Sequence, residues 1–215
     1  MLLQKTLTKS PRLEAWVELL ELTSGLFLLL FLQFHIIAVS YIIFGPEAFD
    51  QKSAAMDAYY LSYIGIPLII IAIIGHGIIA LRKAPWRFQE MQIVWQHSRR
   101  LAHIDTWFWV VQIVTGMAIL ILATVHIVIG LKDWPIEAVR AAAHVQSPQF
   151  LVYLLLLVVA ETHAMVGLYR IFVKWGWLPR RQVARYLIYI GIFFVTLGMV
   201  ALLVFLFLVS AGGAQ

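Results

Sequence analysis

The chain has 215 residues, 62% of them hydrophobic and 13% charged, and its mean hydropathy is +0.89. So apolar a composition excludes an ordinary soluble domain. The lack of cysteine excludes a disulfide, a Cys-ligated iron–sulfur cluster and a thiolate metal ligand. The excess of +5 does not point to nucleic acid, because the basic residues are concentrated in short loops.

Residues 1–22 carry Lys5, Lys9, Arg12, Glu14, Glu18 and Glu21 among apolar residues, without the short apolar core and small-residue cleavage site of a removable signal. Residues 1–21 are expected to form an amphipathic segment at the membrane surface. Five apolar stretches follow, at about 22–44, 61–81, 106–130, 150–173 and 186–210, each with the roughly 20 residues that cross a bilayer as a helix. Continuous Leu/Ile/Val/Phe runs such as 26–34 and 151–159 lack the alternation of a barrel strand. The expected fold is all-α, an integral membrane bundle of five transmembrane helices forming one membrane domain over 1–215. The intervening loops, about 15–25 residues, are too short to fold alone.

Lys and Arg sort by side. Lys5, Lys9 and Arg12 precede the first span. Arg82, Lys83, Arg87, Arg99 and Arg100 lie between the second and third, and Arg170, Lys174, Arg180, Arg181 and Arg185 between the fourth and fifth. The other side has Lys52, Lys132 and Arg140. The positive-inside rule therefore puts the N-terminus in the cytoplasm and the C-terminus outside, a multi-pass topology expected in a bacterial inner membrane.

Four of the seven histidines, His35, His76, His126 and His163, fall in four different spans. An ionisable group at membrane depth marks a functional site by default. Sorted by depth under this topology, His35 pairs with His126 on the outer side and His76 with His163 on the inner side, roughly 5–15 Å apart along the membrane normal. Two pairs of neutral imidazoles suit two bis-histidine haems, and hence a membrane electron carrier. Ala123 and Gly130 flank His126, and Ala160 and Gly167 flank His163, at −3 and +4. These positions share the histidine's face and leave room for a flat macrocycle. Ala72 and Ala80 do the same for His76; at His35 the face holds Ala38 but also Phe31. The competing readings are hydrogen-bonded bundle histidines, or a histidine-based metal or proton-transport site with its ligands gathered at one depth near carboxylates.

The chain resembles the di-haem cytochrome b membrane anchor of fumarate reductases and succinate dehydrogenases, the menaquinone type with a single five-helix anchor. The segments that carry the resemblance are Asp105–Gly116, Val125-His126, the span from Glu161 through His163, Gly167, Arg170 and Lys174 to Trp177, and Ser24-Gly25. It covers about residues 15–205, and the Glu161–Trp177 segment is the most specific. It implies haem iron bound by His76 and His163 near the cytoplasmic side (proximal) and by His35 and His126 in the distal site. It also implies a flavoprotein subunit and an iron–sulfur subunit docked on the basic loops, with menaquinol or menaquinone handled in this chain and fumarate chemistry outside it. A dimer of such heterotrimers fits the resemblance, and the sequence leaves oligomeric state open.

Lys174 and Trp109 match family positions that hold propionates, and a Lys at the inner end of a span can reach a carboxylate. Lys174 can equally be a positive-inside anchor, and Trp109 an interfacial belt residue. Arg99, Arg100 and His103 are candidates for propionate or partner contact, although a solvated basic loop accounts for them too; His97 and His144 read as surface histidines. Glu161 sits in mid-span, two residues before His163 and about 200° away from it around the helix. A buried carboxylate there can take up and release protons, and the family suggests proton transfer linked to haem reduction; the alternative is a protonated Glu bonded to a neighbouring helix. For quinol the family uses an acid on the outer side before the second span, where this chain offers Asp50 and Asp57 beside Glu47, Tyr59 and Tyr60. No one of these residues can be carried over from the family pattern. The rival functions are the cytochrome b subunit of another quinone-linked oxidoreductase, and a haem-free proton-coupled transporter.

Overall fold

A computed structural model describes residues 10–85 and 87–211. Residues 1–9 of the expected surface segment, with Lys5 and Lys9, lie outside the described residues. The described residues form eight α-helices and one 3-10 turn: α1 Pro11–Val39, the turn Ser40–Phe44, α2 Pro46–Ala58, α3 Leu61–Leu81, α4 Phe88–Leu101, α5 Ile104–Lys132, α6 Ala138–Val145, α7 Phe150–Trp175 and α8 Arg180–Ala211. Five helices are long and apolar enough to cross a membrane, namely α1 with its turn, α3, α5, α7 and α8.

Two features depart from the sequence expectation. From Pro11 onward the expected surface segment is the opening of α1, continuous with the first span. Pro11 starts the helix, where a missing N–H costs nothing. The side chains of Thr23 and Ser24 then fold back onto the carbonyls of Leu19 and Leu20, with no break between segment and span. The second departure is in the loops, three of which contain helices. Gly45, with φ 110°, ends the 3-10 turn in a backbone region that favours glycine, and Pro46 opens α2. In α6, Ala138, Ala142 and Val145 are buried at helical spacing, an amphipathic pattern that folds against α8.

Packing is dense at the two ends and open between them. At one end the 3-10 turn, α2, α6 and α8 share a core of Ile42, Phe49, Ala142, Val145, Leu202 and Phe205. At the basic-loop end Tyr169, Val183 and Leu187 pack with Phe108. Between these cores, α1 packs along α3, and α5 along α7, while α7 contacts α8 and α1. Helices α3 and α5 touch only lightly, so the two pairs leave a hollow. The outward surface is apolar, with Leu30, Ile71, Ile121 and Leu155 exposed, as hydrocarbon requires. Ion pairs join the helices at the basic-loop end: Arg82 with Glu14 at 2.7 Å, Lys83 with Glu21, and Arg180 with Asp105 at 3.2 Å. Exposed pairs of this kind contribute about 0–1 kcal/mol each, so they set register more than they hold the bundle together.

Candidate functional site

The hollow is a cavity of about 1010 Å³, and His35, His76, His126 and His163 all line it. Apolar and small residues form its middle. Glu18, Glu21, Lys83 and Lys174 stand at the basic-loop end, and Lys52, Asp133, Arg140 and His144 at the opposite end.

His35 on α1 and His126 on α5 face each other with ring centroids 5.8 Å apart and planes inclined at 72°. Phe31, the bulky residue on the His35 face, stacks on the His35 ring at 5.5 Å and fixes its plane. Tyr153 meets His126 edge-on at 5.5 Å. His126 Nδ1 is buried with no hydrogen-bond partner. An unpaired buried imidazole nitrogen is costly and signals an interaction still to be made.

The other two rings are seated by hydroxyls. Ser24 Oγ lies 3.0 Å from His76 Nδ1 and donates its own proton to the Leu20 carbonyl at 2.6 Å. Thr115 Oγ1 lies 3.0 Å from His163 Nδ1 and donates to the Val111 carbonyl at 2.6 Å. With each hydroxyl proton committed, the oxygen can only accept, so Nδ1 of each ring carries the proton and Nε2 keeps its lone pair. This is the tautomer a metal-binding histidine needs, fixed from its far nitrogen. Gln112 Nε2 donates onto His163 Nε2 at 3.0 Å. The glycine after each hydroxyl makes space: a Cβ on Gly25 would stand 3.1 Å from His76 Cε1, and one on Gly116 3.1 Å from His163 Cε1.

These contacts expose an internal repeat. Ser24-Gly25 precedes His35, and Thr115-Gly116 precedes His126, with nine residues between glycine and histidine in both. Each of α1 and α5 thus presents a histidine to one pair and a seat to the other pair. Hydroxyl and histidine are eleven residues apart, roughly 16 Å of helix. The two pairs are therefore separated by slightly more than the expected 5–15 Å, because the hydroxyl contact fixes the depth and the helix ends do not. Ser24, Thr115 and Gln112 are the residues that reading the histidines alone misses; the repeat is the signal that finds the first two, and Gln112 comes from the structure.

The remaining candidates divide. Trp109 lines the cavity. Lys174 also lines it, with Nζ donating to Glu18 Oε2 at 2.8 Å. Glu161 is 1% exposed and accepts a hydrogen bond from Gln33 Nε2 at 3.0 Å, away from the histidines. Gln33 Oε1 and Glu161 Oε1 are both buried without partners. Asp50 Oδ1 accepts the Ala138 N–H at 2.7 Å, which ties α2 to the start of α6. The side chains that α2 turns to the cavity are Phe49, Lys52, Ser53 and Met56, so neither Asp50 nor Asp57 is among its lining. His103 caps α5, its Nδ1 accepting the Asp105 N–H at 3.3 Å. His144, expected at the surface, is half-buried, with Nε2 on Asp133 Oδ2 and Nδ1 2.5 Å from Gln149 Oε1.

The donor set fits flat iron-bearing groups: four imidazoles in two pairs, two of them with the ligating tautomer fixed, glycines where a ring needs room, and a Lys at one mouth for a carboxylate.

Fold and site together define a multi-pass membrane bundle whose hollow interior is lined by paired histidines. The family model described as succinate dehydrogenase/fumarate reductase transmembrane subunit matches residues 89–206. The chain is 28% identical over 208 residues to the fumarate reductase cytochrome b subunit of Helicobacter pylori, covering 89% of this chain and 80% of that one. It is 30% identical over 179 residues to the protein of the same description from Wolinella succinogenes, covering 79% and 70%. The chain belongs to this family, the cytochrome b membrane anchors of fumarate reductases and succinate dehydrogenases.

Proposed function

We propose that this chain binds two haem b groups, His76 and His163 holding the proximal one and His35 and His126 the distal one, and passes electrons from menaquinol to an iron–sulfur subunit. That subunit and a flavoprotein dock at the cytoplasmic, basic-loop end, and fumarate is reduced in the flavoprotein. The anchor is one membrane unit of a bacterial inner membrane, its N-terminus in the cytoplasm and its C-terminus outside. The observation that carries this reading is the pair of hydroxyl seats, which leave Nε2 of His76 and His163 with its lone pair beside one cavity, the one on His163 held by the exchangeable amide of Gln112.

Bound haem supplies one-electron transfer. The chain's own residues do the rest. Ser24 and Thr115 orient the proximal imidazoles, Phe31 and Tyr153 orient the distal pair, and the Leu/Ile walls exclude water. Trp109 and Lys174, which line the cavity at that end, would hold the propionates of the proximal group, Lys174 releasing Glu18 to do so. Glu161, held by Gln33, carries a proton through the membrane interior and offsets the charge of the moving electron.

Purification of the chain with its two partner subunits tests this. The complex is expected to reduce fumarate with a naphthoquinol and to lose that activity in His126→Ala; activity unaffected by His126→Ala contradicts the reading. A finer test is Thr115→Val, which removes the acceptor for His163 Nδ1–H. Loss of such a supporting partner weakens metal binding by about 10–100-fold. Titration of haem into the depleted protein is expected to show that loss at the proximal site alone.

A further inference from the structure

At the cavity end opposite the basic loops, one group of side chains has no part in holding the four histidines. Asp133 ends α5, seven residues beyond His126, on the same face and roughly 10 Å further along the helix. Asp133, Trp134, Arg140 and His144 all line the cavity there. His144 bonds to Asp133 through Nε2, and its Nδ1 meets Gln149 Oε1. Gln149 stands immediately before α7, four residues ahead of Tyr153, whose ring meets His126. A side chain in α6, a second at the end of α5 and a third before α7 thus converge on one point above the distal pair. Trp134 adds a flat aromatic wall, paired with Tyr63 at 5.6 Å.

We propose that Asp133 and His144 form the proton-accepting pair of the quinol site, with the quinol ring against Trp134. The inference rests on the quinol reading above and names the residues of its substrate end. The step balances without an oxidant: a quinol O–H bond breaks, the proton goes to the Asp133–His144 pair, and the electron pair stays on the quinol oxygen as a quinolate. The second quinol proton follows by the same pair once the first has passed to solvent, and a haem held by His35 and His126 would take the two electrons one at a time. His144 is partly open to solvent, at 27% side-chain exposure, and so can release the proton outside the cavity. Asp50, the acid suggested by chain position, is committed to the Ala138 N–H and holds the helix that carries His144.

The groups around the pair are Glu137 and Arg140, which bridge each other at 3.1 Å, Lys132 next to Asp133, Asp50 and Lys52 on α2, Tyr63 on α3 and Tyr153 on α7. Arg140 also donates to the Asp133 backbone carbonyl at 3.3 Å, which holds α6 against the end of α5.

The test uses the purified complex with Asp133→Asn, His144→Gln and, as a control on the exposed part of α2, Gln51→Ala. Rapid-mixing reduction of the haem bands by 2,3-dimethyl-1,4-naphthoquinol is followed between about pH 5 and 8, together with equilibrium binding of the matching naphthoquinone. Both site variants are expected to keep full dithionite-reducible haem and to bind the naphthoquinone within about threefold of the unaltered complex, yet to be reduced by the quinol about 100-fold more slowly with a flattened pH profile. Gln51→Ala is expected to be unchanged. Normal rates and an unaltered pH profile in both variants overturn the inference and leave the haem reading standing; an unaltered complex without haem, or one that quinol does not reduce, overturns the haem reading itself. If Asp133→Asn sheds haem, His144→Gln decides the matter by the same readings.

Discussion

Replacing His163 by Ala is expected to remove one haem of two and leave the other. In that variant Thr115 Oγ1 and Gln112 Nε2 lose the ring between them, so the proximal site keeps its shape but has a single imidazole, His76. His35 and His126 lie one level away, on helices α1 and α5, with their 5.8 Å spacing unaffected. His126→Ala is expected to give the converse result. Haem per chain and the spectrum of the surviving band, taken for both variants, are the measurement. Two different single-haem spectra support the pairing, whereas retention of both haems in either variant contradicts it. Loss of both haems from His163→Ala would mean that the sites fold as one unit; Thr115→Val, which keeps the ring, then separates ligand loss from collapse.

Glu161→Gln is expected to retain both haems and to lower quinol-driven fumarate reduction by about 100-fold, in the range that a positioned proton carrier contributes. Gln is nearly the same shape and can keep the contact with Gln33, so the bundle is expected to stay folded. What it loses is an exchangeable proton in the membrane interior. The two unpartnered oxygens, Gln33 Oε1 and Glu161 Oε1, bear on this directly: two buried acceptors without a donor call for a proton on the carboxyl or for water arriving beside it. Turnover measured in sealed vesicles, with the haem spectrum as a check on folding, decides between the roles. Unchanged turnover assigns Glu161 to helix packing alone.

The fold was legible because hydrocarbon leaves so few choices. Apolar runs such as 26–34 and 151–159 can only be spanning helices, and their residues proved to be helical; the second, third and fourth spans lie close to the expected bounds, while the first and fifth begin earlier, at Pro11 and Arg180. The lateral arrangement was not legible, since Leu and Ile face lipid and neighbouring helices equally well. That is why the light α3–α5 contact, and the cavity it permits, emerge only from the structure. The same limit applies to the helices between spans. Residues 138–145 read as a loop by length, yet three small or apolar side chains at helical spacing fold it onto α8.

Of the site, the histidines were visible as ionisable residues where none is cheap. Their supports were not, because serine and threonine inside a span also satisfy local carbonyls, as Thr124 does with Leu120. Only the distance from Ser24 to His76 and from Thr115 to His163 separates support from local bonding. Lys174 shows the opposite case: its position at a helix end was legible, but the Glu18 carboxylate that occupies it comes from a residue 156 positions away in sequence. His144 was read as a surface residue because it lies off the buried Ala138, Ala142 and Val145 stripe of its loop helix, and its partner Asp133 belongs to another element.

The central claim is that the two histidine pairs each hold a haem. Its most direct test is a dithionite-reduced minus oxidised spectrum of the purified chain, with haem quantified per protein. The account predicts two b-type haems per chain, both bis-histidine ligated; a folded sample prepared with haem available and containing none contradicts it.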